Sequence, residues 1–127
     1  MKFVTTVIYV KNVEETLDFY VKAFGFSIGF LHPNKQFGSL TTGSTALAFA
    51  SEESGRSYMG DFAPNSINNP LPYGFEVAFS TGDVQQAYDH AISCGALPIR
   101  APEKRHWGQI IAYVRDLNGI IVEICSE

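Results

Sequence analysis

The chain has 127 residues, of which 46% are hydrophobic and 17% charged, and its formal net charge is -4 at pH 7. This balance suits one ordinary domain with its own core, and it excludes a general electrostatic attraction to nucleic acid or to anionic membranes. No apolar run approaches the roughly 20 residues of a membrane span, and the N-terminal apolar run is too short for a secretory signal. Because Cys94 and Cys125 form no CxxC pair, we expect reduced thiols in a cytoplasmic protein.

The first half of the chain predicts one strand, one helix and three further strands. Asn12 is placed to cap the helix, with Glu15 at the third helical position completing a capping box. Gly25 is placed to end this helix. The predicted strands are residues 4–10, 26–31, 36–41 and 45–50, separated by turn residues.

The second half repeats the same order of elements. Asp83 and Gln86 form the capping pattern, Gly95 ends the helix, and the predicted strands are residues 74–80, 97–100, 109–114 and 120–125. Aligning the two caps pairs Thr5 with Glu76, and aligning AFASE with EICSE pairs Ala48 with Glu123. We therefore predict a single domain, 1–127, made of two tandem βαβββ modules at about 1–52 and 74–127.

A long connection, about residues 53–73, is predicted between the modules. Connections of more than about 12 residues are usually functional or disordered. Tyr58, Met59 and Phe62 argue against disorder here. Two interpretations stay open: these side chains pack as a flap on the protein's own core, or they cover a ligand.

Three segments of the chain carry a resemblance to a known family. The stretches VIYVKNVEETLDFYVKAFGF, FEVAFSTGDVQQAYDHAISCGA and VRDLNGIIVEI resemble the vicinal oxygen chelate superfamily, which includes glyoxalase I, bleomycin-resistance proteins and extradiol dioxygenases. The resemblance covers nearly the whole chain. It implies an α+β fold in which two βαβββ modules form a curled eight-stranded sheet around a ligand cavity. It also implies a homodimer, which is typical of small members.

The resemblance further implies a metal position that this chain fills poorly. In metal-using members, up to four inward-pointing side chains hold a divalent cation, and the matching positions here are Thr5, Ala48, Glu76 and Glu123. Those members usually have His or Gln at the first position, His at the third and Glu at the fourth, and only the last is retained. Two carboxylates without imidazole suit only loosely held Mg²⁺ or Mn²⁺. We therefore expect no cofactor, with a weakly bound divalent cation as the alternative.

Glu123 is a charged residue within the apolar run of residues 120–124. An unpaired carboxylate buried there would cost several kcal/mol. If Ile121 and Cys125 share its side of the strand, it points into the cavity beside Glu76. The pair could then act as acid and base or bind a cationic ligand. The structural alternative is that Glu123 simply pairs with Arg105, Arg115 or Thr5.

Further candidates lie near the predicted seventh strand. Trp107 is predicted to open that strand, where its indole could stack on a flat ligand or pack in a core or dimer interface. His32, His90 and His106 are expected at the surface. The full set of ligand-binding candidates is Thr5, Tyr58, Phe62, Glu76, Trp107, Gln109, Tyr113 and Glu123, with Glu123 also the candidate catalytic residue.

The sequence favours a binding protein over an enzyme. The leading hypothesis is metal-free binding of a small aromatic or cationic compound in the sheet cavity, serving resistance or sequestration. The alternative is a metal-dependent lyase, isomerase or dioxygenase that uses Glu123. A third reading is a dimeric scaffold whose cavity is filled by its own side chains. Partners are expected to be a small molecule and a second copy of the chain, with neither nucleic acid nor membrane.

Overall fold

The computed structural model describes all 127 residues, and the chain divides into two compact units, Met1–Pro64 and Asn65–Glu127. Each unit contains one βαβββ module, so the predicted order of elements is confirmed in both halves. The boundary falls inside the predicted connection. No helix of the chain is both long enough and apolar enough to cross a membrane.

The first unit is a four-stranded mixed sheet with two helices. Asn12 starts the first helix as predicted, because its side-chain oxygen accepts a hydrogen bond from the Glu15 amide at 2.9 Å. Gly25 ends that helix with a φ of 75°. The sheet order is β1-β4-β3-β2, with β1 and β4 parallel. The elements are β1 Thr6–Val10, α1 Val13–Phe24, β2 Ser27–Leu31, β3 Phe37–Thr41, β4 Leu47–Ser51 and α2 Glu52–Met59.

The second unit repeats the sheet and has one helix. The Asp83 side chain accepts from the Gln86 amide at 2.9 Å, which confirms the second predicted cap. The sheet order is β5-β8-β7-β6, with β5 and β8 parallel. The elements are β5 Glu76–Thr81, α3 Val84–Ser93, β6 Leu97–Lys104, β7 Ile110–Arg115 and β8 Ile121–Ser126.

The register of the parallel strands supports the alignment of the two modules. Val7 is the partner of Ala48 in the first sheet, and Ala78 is the partner of Glu123 in the second. These are equivalent positions when the predicted helix caps are superposed. Ala48 and Glu123 therefore occupy the same place in their own sheets.

Helix α1 covers one face of the first sheet. Ile8 and Phe49 are register partners on neighbouring strands, and they are 3% and 0% exposed. The ring of Tyr20 packs on Phe49 with their centroids 5.0 Å apart. Because successive strand residues point to opposite faces, this contact places α1 on the Ile8 side of the sheet.

The first part of the predicted connection is not irregular: residues 52–59 form helix α2. Ser51 caps this helix by accepting from the Ser54 amide at 3.0 Å. The helix lies on the face opposite to α1, where the Gly55 backbone contacts the Tyr9 ring. The Phe62 ring lies 5.0 Å from Tyr9, so it packs on its own unit. Tyr58, in contrast, is 89% exposed.

Replacing Gly55 by alanine is expected to destabilise the protein by about 1–3 kcal/mol, because overpacking costs this much in a filled site. A Cβ at Gly55 would lie 2.6 Å from the Tyr9 ring, and this outweighs the gain in helix propensity of about 1 kcal/mol. Urea denaturation measures the change. Ser57→Ala, at an exposed position of the same helix, is the control. Equal stability of the Gly55→Ala protein and wild type would contradict the packing.

Candidate functional site

Two carboxyl groups lie side by side on one face of the second sheet. Glu123 is the partner of Ala78 in the parallel β5–β8 register, and Glu76 shares a face with Ala78 because it lies two residues away on the same strand. This face is the less buried one. Val122 and Ile124, on the other side of β8, are 0% and 2% exposed, whereas Glu123 is half-buried.

Tyr113 is the hydrogen-bonding partner of Glu123. The two are opposite each other in the β7–β8 pairing, and the Tyr113 hydroxyl donates to Glu123 Oε2 at 2.9 Å. The three structural partners that the sequence suggested are engaged elsewhere: Arg115 donates to backbone carbonyls, Arg105 pairs with Glu103, and Thr5 donates to Thr6 and Ala46 carbonyls.

The proximity of the two acids shifts the pKa values of the groups on this face. Partial burial, the charge of Glu123 and a hydrogen bond to Glu123 all raise the pKa of Glu76. Burial, followed by the hydrogen bond to Glu123 and the charge of Glu123, also raises the pKa of Tyr113. Burial and the Glu123 charge raise the pKa of the Cys125 thiol. The face therefore disfavours the ionisation of Glu76 and opposes any further negative charge.

Glu123→Gln is expected to lower the pKa of Glu76, because it removes the negative charge that opposes ionisation. Carboxyl ¹³C NMR titration measures this pKa directly. A raised pKa means that the native state keeps a proton after the unfolded state has lost it. The free energy of unfolding of the wild type should therefore fall, relative to that of Glu76→Gln, as the pH rises. The fall should lie between the ordinary pKa of a glutamate and the raised pKa of Glu76. An unchanged Glu76 pKa in Glu123→Gln would show that the two acids do not interact.

Trp107 lies in the turn before β7, and not at the start of the strand as predicted. Gly108, with a φ of 99°, separates it from β7, which begins at Ile110. The indole Nε1 donates to Gln109 Oε1 at 3.1 Å, and Gln109 Nε2 donates to the Ser126 carbonyl at 2.9 Å. The indole is 60% exposed, so it is held in place while its ring stays accessible.

The predicted site residues are divided between the units. Glu76, Trp107, Gln109, Tyr113 and Glu123 belong to the second unit, and so do the Tyr113–Glu123, Trp107–Gln109 and Gln109–Ser126 hydrogen bonds. The remaining candidates, Thr5, Ala48, Tyr58 and Phe62, belong to the first unit.

Comparison with known proteins assigns the family. A sequence model of the Glyoxalase/Bleomycin resistance protein/Dioxygenase superfamily matches residues 2–124. The chain belongs to this superfamily. Within it, the chain is 22% identical over 125 residues to the uncharacterized protein YraH of Bacillus subtilis strain 168, covering 98% of this chain and 97% of that protein.

Solved structures share the fold of the superfamily. A glyoxalase-related enzyme from Fulvimarina pelagi matches with a TM-score of 0.83 and 17% identity, covering 100% of this chain and 88% of that one. TioX from Micromonospora sp. ML1 matches with a TM-score of 0.74 and 19% identity, covering 99% and 98% of the two chains. These likenesses confirm the predicted α+β fold class.

The residues of this chain do not fit the metal site found in metal-using members of the superfamily. Ala48 has no donor atom, and the Thr5 hydroxyl donates to backbone carbonyls. Only Glu76 and Glu123 remain of the four positions, and the chain has no group of three or more His, Cys, Asp or Glu side chains arranged to hold a metal ion. Zinc, iron and nickel sites normally include imidazole or thiolate ligands.

The structure brings together a cysteine and a histidine that the sequence analysis did not pair. Cys94 Sγ lies 3.6 Å from His90 Nε2 at the end of α3. The signal was the spacing of four residues, which places side chains on the same helix face. His32, His90 and His106 are all exposed, as predicted.

Proposed function

We propose that the protein binds a small, flat organic cation on the Glu76–Glu123 face, without a metal ion, and so sequesters it. The observation that carries this proposal is the pair of neighbouring acids, where burial and then the charge of Glu123 raise the pKa of Glu76. A cation with two hydrogen-bond donors would offset the repulsion between the two carboxylates.

The energetics of the pair suit a cationic ligand better than a neutral one. Each hydrogen bond to a charged group contributes about 1.5–3 kcal/mol. Glu123 Oε2 already accepts from the Tyr113 hydroxyl, which fixes the orientation of its carboxylate. Preorganisation of this kind strengthens binding because less side-chain freedom is lost on association.

Trp107 supports an aromatic character for the ligand. Its exposed ring is anchored through Gln109 to the end of β8. A flat cation can gain from contact with an indole face by about 0.5–2 kcal/mol. Such a ligand would meet the two acids through its charged group and the tryptophan through its ring.

The superfamily setting agrees with a binding role. The superfamily includes bleomycin resistance proteins as well as enzymes, and a chain that lacks the metal-binding histidines fits the former. We therefore place this protein among members that hold a compound without transforming it, acting in resistance or sequestration in the cytoplasm. We also propose the homodimer that the resemblance implies.

The experiment is a titration of metal-stripped protein with benzamidine, benzamide and benzoate, which share a ring and differ in charge. Benzamidine should bind saturably and quench the fluorescence of Trp107, the single tryptophan, whereas benzamide and benzoate should bind at least about tenfold more weakly. Because Trp107→Phe has no tryptophan, calorimetry of this variant measures benzamidine binding independently of fluorescence quenching. Equal affinity for all three compounds would remove the proposed role of the acids.

A further inference from the structure

The first unit contains a cavity of about 760 Å³ that includes no residue of the carboxylate pair. Its wall is formed by the end of β1 with the start of α1, by the end of β4 with the start of α2, and by the turn that leads into β3. This volume lies within the range of about 300–1,000 Å³ that is typical of small-molecule sites.

The cavity lies where the chain leaves the sheet in two directions. Strands β1 and β4 are parallel neighbours, and their last register partners are Val10 and Ser51. Helix α1 follows β1 onto the face of Phe49, whereas α2 follows β4 onto the face of Tyr9. Divergence of this kind opens a crevice beyond the carboxyl ends of the strands, which is the usual ligand position in open sheets with parallel strands.

The charged side chains of the cavity wall are balanced. Two ion pairs lie within the wall: Lys35 Nζ is 3.0 Å from Glu14 Oε2, and Arg56 Nη1 is 3.5 Å from Glu52 Oε2. Arg56 Nε also pairs with Asp61, outside the wall, at 2.9 Å. The remaining charges of the wall are Lys11 and Glu53, which are exposed and lie outside these ion pairs. A ligand of a single charge would meet one of the two favourably and the other unfavourably. A zwitterion matches both.

We propose that this cavity binds a small zwitterion of the α-amino acid type, with its carboxylate toward Lys11 and its ammonium group toward Glu53. Three features of the cavity support the proposal. They are its volume, its position where the chain diverges after β1 and β4, and the presence of one cation and one carboxylate outside ion pairs. The site is independent of the Glu76–Glu123 face. Each of the two proposals can therefore fail without the other.

The first test is ligand-detected NMR of the wild-type chain with the common L-amino acids. At least one should bind saturably, and the tightest should then be compared with its N-acetyl derivative, which lacks the ammonium group, and with its carboxamide, which lacks the carboxylate. Both derivatives should bind about tenfold more weakly or worse, because each loses a hydrogen bond to a charged group. Absence of saturable binding below about 10 mM for every amino acid would overturn the proposal.

The second test uses variants of the two unpaired wall charges. Lys11→Met and Glu53→Gln should each raise the Kd of the best amino acid about tenfold. Lys2→Met and Glu127→Gln, which change exposed charges outside the cavity wall, should leave it unchanged. Wild-type affinity in both Lys11→Met and Glu53→Gln would overturn the proposal, even if an amino acid binds elsewhere.

Discussion

Replacing Gly119 by alanine is expected to lower the free energy of unfolding by about 3–5 kcal/mol, a range reserved for severe steric or buried polar defects. Gly119 has a φ of 82°, and an added Cβ would lie 2.5 Å from the Ser66 carbonyl oxygen and 2.6 Å from Arg115 Nη2. Neither neighbour can move freely, because Arg115 donates to the carbonyl oxygens of Gly119, Asn69 and Ser66. The substitution would therefore break the bonds that attach residues 66–69 to the β7–β8 turn. Urea denaturation measures the loss.

Gly43→Ala is the matched control for Gly119→Ala. Gly43 has the same φ of 82°, but nothing lies within 4 Å of a Cβ built there. Its replacement should cost only the backbone penalty of a left-handed residue, about 1–2 kcal/mol. The difference between the two variants isolates the steric contribution at Gly119. Equal losses in both variants would contradict the close packing of Gly119 on Ser66.

The double variant Glu76→Gln/Glu123→Gln is expected to weaken benzamidine binding by about 100-fold or more, because two hydrogen bonds to charged groups are lost. Each single variant should weaken it by about tenfold. Both substitutions keep the side-chain shape and remove charge from a partly exposed face, so the fold should persist. Calorimetry measures the affinities, and thermal denaturation confirms folding.

Glu103→Gln is the control for the double variant. It removes a carboxylate from the same unit, where Glu103 pairs with Arg105 at 3.2 Å, but it leaves the Glu76–Glu123 pair intact. Benzamidine affinity should stay within about twofold of wild type, since an exposed surface ion pair contributes little. If the control and the double variant lost affinity equally, general surface charge rather than the acid pair would explain binding.

Helix boundaries were predictable from the sequence because their causes are local. Asn12 and Asp83 each accept from an amide three residues later, and Gly25 ends α1 in the left-handed conformation. Both effects depend on residues within one helical turn. The order of elements along the chain followed from the repetition of these signals in the second half.

Helix α2 was not predicted, because the interactions that stabilise it are mostly distant in sequence. Gly55 disfavours a helix by about 1 kcal/mol relative to alanine, yet it is required for the approach of α2 to Tyr9. The local signal, Ser51 followed by Glu52 and Glu53, was weak. Tertiary packing of Tyr9 and Phe62 against this segment stabilises the helix, although its local sequence pattern is weak.

The sequence indicated that Glu76 and Glu123 could lie side by side, but it did not indicate the hydrogen-bonding partner of Glu123. The module repeat aligned Glu76 with Thr5 and Glu123 with Ala48, and the structure brings the two acids together on one face. The partner of Glu123 depends on the register of β7 against β8, which aligns Tyr113 with it. Sequence alone could not fix that register, and arginine is the residue that charge pairing would suggest first.

The central claim is that the Glu76–Glu123 pair acts as a metal-free site for an organic cation. Thermal denaturation of chelator-stripped protein tests it most directly, with Mg²⁺, Mn²⁺, Fe²⁺, Co²⁺, Ni²⁺, Zn²⁺ and benzamidine added singly. A ligand at a hundredfold excess over its Kd stabilises the native state by roughly 2.7 kcal/mol. We expect a rise in Tm with benzamidine, lost in Glu123→Gln, and none with the divalent cations. A selective rise with one divalent cation that Glu123→Gln abolishes would contradict the claim and favour a metal-dependent enzyme.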